Sequence, residues 1–217
     1  MANPPAVHDG APGGVWSTDR GCYEFLARMM PSDAVTLETG LGISTVLFAL
    51  WSGSHVCVVP SGDEVARLHR YGEARGIDFT NVHFEVGFSD QVLPSMQMAP
   101  VDLYLVDGGH GFPHPALDWY YGSLLLRADG LIVIDDIQLP AVHDYLVKFL
   151  LADDRWLRVG GDDFKWIAFR KQADFSVREE WDRQSFLGAP RPVKPPQPWL
   201  RRIKIAGRRQ LSRLKRP

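Results

Sequence analysis

The sequence predicts an α/β fold: a doubly wound, seven-stranded sheet, mostly parallel, that ends in an antiparallel hairpin strand. Three observations predict it. Short runs that are apolar on both faces alternate with amphipathic segments of helical period, the pattern of a parallel sheet covered by helices. A Gly-x-Gly turn, Gly40-Leu41-Gly42, follows the first such run and opens a helix-like segment. The last two apolar runs are separated by only four residues. A parallel crossover needs about a dozen, so that pair is a hairpin.

The elements follow in order. Gly21–Met30 reads as a helix, with Tyr23, Phe25, Leu26 and Met29 or Met30 as its apolar contacts. Val35–Glu38 is the first strand, and Ser44–Trp51 is the helix after the glycine turn, with Ser44 or Thr45 able to cap it. His55–Val59 is the second strand. Asp63–Arg75 is a helix carrying Val65, Leu68 and Tyr71 near one face, ended by Gly76. Val82–Val86 is the third strand, with a short helix near Gln91–Met96. Val101–Val106 is the fourth, followed by a helix over Pro115–Leu126 whose stop Gly130 supports. Leu131–Ile134 is the fifth strand and Ala141–Leu151 the next helix. Trp156–Val159 and Phe164–Arg170 close the sheet, joined by Gly160-Gly161-Asp162-Asp163.

Composition bounds the rest. The 217 residues are 45% hydrophobic and 11% aromatic, enough for one α/β domain with a full core. No apolar run approaches the roughly 18 residues of a membrane span. The N-terminal stretch lacks the basic and apolar regions of a secretory signal and reads as a flexible lead-in over 1–19. Cys22 and Cys57 have no metal-ligand spacing, and Cys57 sits in a strand as a core residue. These features fit a cytoplasmic protein. The domain spans 20–171, with an extension over 172–188 in which Trp181 and Phe186 are the expected anchors. Residues 189–217 form a linker rich in proline and a basic tail. The tail, 201–217, holds eight basic residues and no acid, which leaves 16 basic residues against 26 acidic ones in the body, a charge of −10. Leu200, Ile203, Leu211 and Leu214 fall near one helical face. The tail is therefore expected either to be solvated or to lie on an anionic membrane surface, peripheral to the inner membrane. Nucleic acid is disfavoured, because phosphates would repel the body and only Trp199 could stack on bases.

Open parallel sheets bind ligands at the carboxyl ends of their strands. The residues just past each strand are therefore informative. After the first come Glu38 and the glycine loop; after the third, Gly87-Phe88-Ser89-Asp90. The fourth is followed by Asp107-Gly108-Gly109-His110-Gly111-Phe112-Pro113-His114, and the fifth by Asp135-Asp136-Ile137-Gln138. Three carboxylates brought together repel one another unless a cation or protons intervene. A divalent ion is one solution, since hard cations take oxygen ligands.

With LETGLGIST, GFSDQVLP, LYLVDGGH and GLIVIDD in that order and a terminal hairpin, residues 20–170 resemble the class I S-adenosylmethionine-dependent methyltransferases. The chain is similar to the small bacterial branch near the catechol-type O-methyltransferases. The resemblance implies a Rossmann-like sheet and S-adenosylmethionine as cofactor. Glu38, Gly40 and Gly42 match the loop that holds the methionine part, with Ser44 beside it. Ser89 and Asp90 match positions beside the adenine. Asp107 matches a contact to the methionine end or to a metal, and Asp135 and Asp136 match the metal pair of that branch, where Mg²⁺ or another divalent cation would sit. One departure stands out. Pro60 occupies the place of the acid that usually grips the ribose hydroxyls, and only Asp63 or Glu64 could reach back. The expected reaction is methyl transfer to an oxygen of a small molecule, such as a sugar or natural-product hydroxyl. His110 would be the general base, and Phe112, Trp119 and Tyr120 an acceptor wall. The alternative is a non-catalytic relative that binds a partner through its basic tail. A nicotinamide oxidoreductase is disfavoured, because Thr45 replaces the third glycine of the dinucleotide fingerprint.

Overall fold

The computed structural model describes residues 4–8, 16–174, 180 and 184. The expected anchors Trp181 and Phe186, the proline-rich linker and the basic tail lie outside the described residues. Runs rich in β-branched and aliphatic residues form β1 (Val35–Thr39), β2 (Ser54–Val59), β3 (Val82–Val86), β4 (Val101–Val106) and β5 (Leu126–Asp135). These five pair in parallel. The hairpin β6 (Trp156–Gly161) and β7 (Trp166–Lys171) adds to β5 antiparallel, giving the order β3-β2-β1-β4-β5-β7-β6. The switch between β1 and β4 is where successive connections run in opposite directions and a crevice opens.

The helices are α1 (Arg20–Met29), α2 (Ile43–Trp51), α3 (Gly62–Glu73), α4 (Ser89–Val92), α5 (His114–Leu125), α6 (Pro140–Val142) and α7 (Lys148–Ala152). A π turn, His143–Val147, joins α6 to α7 and interrupts the single helix expected there.

Two boundaries differ from the sequence reading for identifiable reasons. Gly130 does not stop α5. The helix ends at Leu125, and β5 begins at once at Leu126, which pairs with Val101; the next pair is Leu103 with Leu131. The intervening residues bulge outward, with Asp129 at φ 63°. The hairpin turn also lies further on. Gly160 and Gly161 belong to β6, and Asp162 makes the turn by accepting the amides of Phe164 (3.0 Å), Lys165 (2.7 Å) and Trp166 (3.0 Å) on its Oδ1. Lys165 is thereby moved from a strand to the rim of the crevice.

The sheet buries a different surface on each face. Leu37, Val58, Tyr104, Val106, Ile132, Ile134, Ile167 and Phe169 form one core. On the other face Leu103, Leu105, Leu131, Val133 and Ala168 meet Phe25, Leu26 and Phe48 of α1 and α2. The alternation of partners along β4, β5 and β7 accounts for both sets. The expected lead-in is partly docked: Val7 is 1% exposed among Leu41, Val46, Val59 and Leu68, and Arg67 Nε donates to its carbonyl at 2.6 Å.

α5 lies so close to β4 that a Cβ at Gly122 would stand 2.2 Å from Cε1 of the fully buried Tyr104, whose hydroxyl donates to the Asp118 carbonyl at 3.0 Å. Gly122→Ala must push the ring or the helix aside. We expect it to lower stability by about 1–3 kcal/mol in urea unfolding; an unchanged midpoint would show that this contact yields freely.

Candidate active site

The crevice is built from the glycine loop outward. Gly40 takes φ 94°, a conformation that favours glycine, and a Cβ there would lie 2.1 Å from the Asp107 carbonyl oxygen. Gly42 is extended at φ 177°, so its backbone makes no such demand. The helix start is secured from inside: the Gly42 amide donates to Thr45 Oγ1 at 3.0 Å, and the Thr45 hydroxyl donates to Glu38 Oε1. Thr45 rather than Ser44 therefore supports the first turn. The Glu38 carboxylate also lies 3.1 Å from His55 Nε2, and His55 Nδ1 lies 2.8 Å from Thr36 Oγ1, all fully buried. Glu38 thus braces the loop from beneath and does not line the crevice.

Above the loop lies a cavity of about 900 Å³. Toward β2 and β3 it is lined by Pro60, Glu64, Phe88 and Ser89; toward β4 and β5, by Asp107, His110, Asp135, Asp136 and Lys165. Gly40, Gly42, Ser44 and Gly108 also line it, and His8, Trp16, Ser17 and Tyr23 contribute from the N-terminal stretch and α1. Of the cofactor residues expected from sequence, Asp90 and Glu38 are not among the lining residues. The acceptor wall expected from Phe112, Trp119 and Tyr120 does not line it either. Trp119 packs into the core, its ring 4.4 Å from Phe149 and 6.1 Å from Trp156. Phe112 is 65% exposed against Tyr145. Tyr120 meets Tyr121, ring centroids 5.0 Å apart.

The polar end of the cavity is a charged cluster. His110 Nε2 is buried, 3.0 Å from Asp136 Oδ2 and 3.8 Å from Asp107 Oδ1, and makes no directed hydrogen bond among the described residues. Lys165 Nζ pairs with Asp136 and lies 3.2 Å from Asp135 Oδ2, while the Thr18 hydroxyl donates to Asp135 Oδ1 at 2.5 Å. Burial works against a charged His110, but Asp107 and Asp136 outweigh it and push its pKa up to about 9. Asp135 is pushed up to about 7 by burial and by Asp107, against the opposing pull of Thr18 and Lys165. Burial at the cavity floor also raises Asp107. Asp136, despite burial, is held well below the carboxylate range by His110, Lys165 and Gln138.

This arrangement does not fit a Mg²⁺ held by Asp107, Asp135 and Asp136. Two of the three carboxylates already share the Lys165 ammonium, and Asp135 is further occupied by Thr18. The side chains whose ligand atoms converge within 4.8 Å are instead Asp107, His110 and Asp136, a set that includes an imidazole where Mg²⁺ prefers oxygen.

Sequence reasoning missed His8, Trp16, Ser17, Tyr23, Phe88 and Lys165. Phe88 and Lys165 carried a signal: one precedes Ser89 in the loop after β3, and the other follows an Asp able to make a tight turn. His8 reaches the cavity from 56 residues before Glu64, a distance no local pattern encodes.

Residues 37–137 match the family model described as a methyltransferase domain. No curated protein sequence matches the chain. Among solved structures the chain is similar to a candidate O-methyltransferase from Klebsiella pneumoniae, at 18% identity over 76% of this chain and 84% of that one, TM-score 0.60. It is similar to the O-methyltransferase TomG from Streptomyces achromogenes, which acts in tomaymycin synthesis and was solved with S-adenosylmethionine, at 17% identity over 70% and 79%, TM-score 0.55. An rRNA methylase from Streptococcus thermophilus matches at 16% identity over 70% and 95%, TM-score 0.53. At such identities the likeness is one of fold.

The cluster makes a prediction about protons. The folded His110 value lies above the ordinary one of about 6.5, so its contribution to stability is fully present below that pH and is lost as pH rises through about 9. NMR titration should place the His110 ring near pH 9, and Asp136→Asn should move it toward the ordinary range. A wild-type midpoint near 6.5 would mean that the carboxylates do not hold the proton.

Proposed function

We propose that this protein, which belongs to the methyltransferase family, transfers a methyl group from S-adenosylmethionine to an oxygen of a small molecule such as a sugar or natural-product hydroxyl. One observation carries the reading: a single cavity joins a glycine loop at the sheet's switch point to an imidazole set between two carboxylates. The first is suited to a nucleoside cofactor, the second to moving a proton. TomG, of similar fold, was solved with that cofactor.

When bound, S-adenosylmethionine supplies an already activated methyl sulfonium. What the chain must add is alignment of the acceptor and removal of its proton. Gly40, Gly42, Ser44 and Ser89 line the part of the cavity that would hold the cofactor. His110, which lines the cavity, receives the acceptor's proton once it has lost the one that Asp107 and Asp136 hold on its ring. Asp107 and Asp136 fix the ring and stabilise the imidazolium. Lys165 keeps Asp135 and Asp136 from repelling each other. No step needs a metal ion. The acidic body disfavours a nucleic-acid acceptor, because phosphates gain affinity from basic contacts.

Two experiments test this. The wild-type protein should bind S-adenosylhomocysteine in calorimetry, and Gly40→Ala should weaken that binding by more than about tenfold, since even a methyl meets the Asp107 carbonyl. Equal binding by the two proteins would remove the loop from the cofactor site. With radiolabelled S-adenosylmethionine and a panel of hydroxylated acceptors, kcat/KM should rise about tenfold per pH unit toward pH 9, where His110 loses its proton. His110→Gln should cut kcat by about 10²–10⁴ and flatten that rise. A variant with wild-type turnover would take His110 out of the chemistry.

A further inference from the structure

The adenosyl cofactor of the proposed reaction carries a ribose with two adjacent hydroxyls. A carboxylate is the natural partner for such a diol, because its two oxygens can accept from both O–H groups at once, as acids do in other nucleotide-binding α/β sheets. The end of β2, where such an acid would stand, offers Pro60 instead. Among the described residues four carboxylates line the cavity: Glu64, Asp107, Asp135 and Asp136. Asp107 and Asp136 flank His110, and Asp135 and Asp136 share Lys165, so these three belong to the proton-handling end. Glu64 alone among the four lies on the β2 side.

Its placement suits the task. Glu64 sits in the first turn of α3, four residues after Pro60, and its side chain is 18% exposed toward the cavity. Asp63, its neighbour, is not among the lining residues. Oε1 of Glu64 is met by His8 Nδ1 at 3.4 Å. His8 is fixed in turn: Val7 before it is buried against α3, Arg67 holds the Val7 carbonyl, and the His8 ring stacks on Trp16 with centroids 6.0 Å apart. His8 and Trp16 both line the cavity. The N-terminal stretch therefore does two things at one place. It lines the crevice through His8 and Trp16, and it meets Glu64 Oε1 through His8.

We propose that Glu64 accepts the ribose hydroxyls of the cofactor in place of the acid missing at the end of β2, and that His8 is the residue that positions it. The inference rests on the cavity being an S-adenosylmethionine site. A residue one helical turn further along the chain, steadied from the N-terminus, replaces one fixed by the strand itself. The grip is then coupled to docking of the N-terminal stretch.

The test is a cycle of two ligands against four proteins. S-adenosylhomocysteine and its 2′,3′-dideoxy analogue are titrated by calorimetry into wild type, Glu64→Gln, Glu64→Asp and His8→Ala, with thermal melts to confirm that each is folded. Wild type should prefer the diol by about tenfold or more, the worth of hydrogen bonds to a charged group. Glu64→Gln should lose most of that preference while binding the dideoxy analogue as wild type does. Glu64→Asp, with its carboxylate withdrawn by one methylene, should fall between, and His8→Ala should erode the preference without abolishing it. Glu64→Gln with an intact preference, or an equal loss for both ligands, overturns the role of Glu64. A His8→Ala preference equal to wild type overturns the positioning role. If wild type binds neither ligand, the cofactor reading itself falls and takes this inference with it.

Discussion

The contact on which the site depends is the approach of the β1 loop to the end of β4. The Gly40 Cα stands so near Asp107 that a side chain there would meet its carbonyl oxygen at 2.1 Å. The Asp107 amide donates to the Thr39 carbonyl at 3.1 Å and the Gly40 amide to the Val58 carbonyl at 3.0 Å, so the ends of β1, β2 and β4 are tied at one point. These bonds extend the sheet's ladder past its last paired residues. The crevice opens just beyond them because the connections from β1 and β4 leave in opposite directions. Moving any of the three ends would separate the loop from the residues around His110.

The same point is held from below by polar groups, which is unusual for a sheet face otherwise filled with Leu103, Leu105, Leu131 and Val133. Thr36 and His55 are paired across β1 and β2, and Glu38, two residues on and opposite Cys57, shares their face. Burying a carboxylate is costly unless it is hydrogen-bonded. Here one Glu38 oxygen receives Thr45 and faces His55, while the other, Oε2, has no hydrogen-bond partner among the described residues. Phe48 stacks on the His55 ring at 4.5 Å, closing the group against α2. The network joins the strand end to the helix start through side chains, so loop geometry does not rest on glycine alone. An apolar residue at position 38 would pack well and leave the Thr45 hydroxyl without its acceptor.

The sheet was legible because its signal is local. Runs apolar on both faces mark covered parallel strands, and the short last connection requires a hairpin. The strand ends were legible for the same reason, and Gly40, Ser89, Asp107, His110, Asp135 and Asp136 do meet in one cavity. What local pattern could not give was the direction of each side chain and the partners drawn from afar. Glu38 reads as a ligand-facing acid until the strand's alternation and Thr45 turn it inward. Asp135 reads as a metal ligand until Thr18, 117 residues away, and Lys165 engage it. Lys165 itself was hidden by the glycine pair, which suggested a turn earlier than the one Asp162 builds. Trp119 reads as a pocket wall because helical position is visible in sequence and the facing core is not.

The charge cluster shows how the site solves a problem its sequence poses. Three carboxylates meet at the ends of β4 and β5, and their repulsion can be relieved by a cation, by protons or by hydrogen bonds. All three remedies are present in the chain's own residues: the Lys165 ammonium, the proton that His110 keeps up to about pH 9, and the Thr18 hydroxyl. At neutral pH two cations face three acids, and Asp135, pushed up to about 7, takes up part of the remaining charge as a proton. Asp107 and Asp136 stay on either side of the ring. The result is a pocket end whose carboxylates are met almost entirely by the chain's own cations, protons and hydrogen bonds.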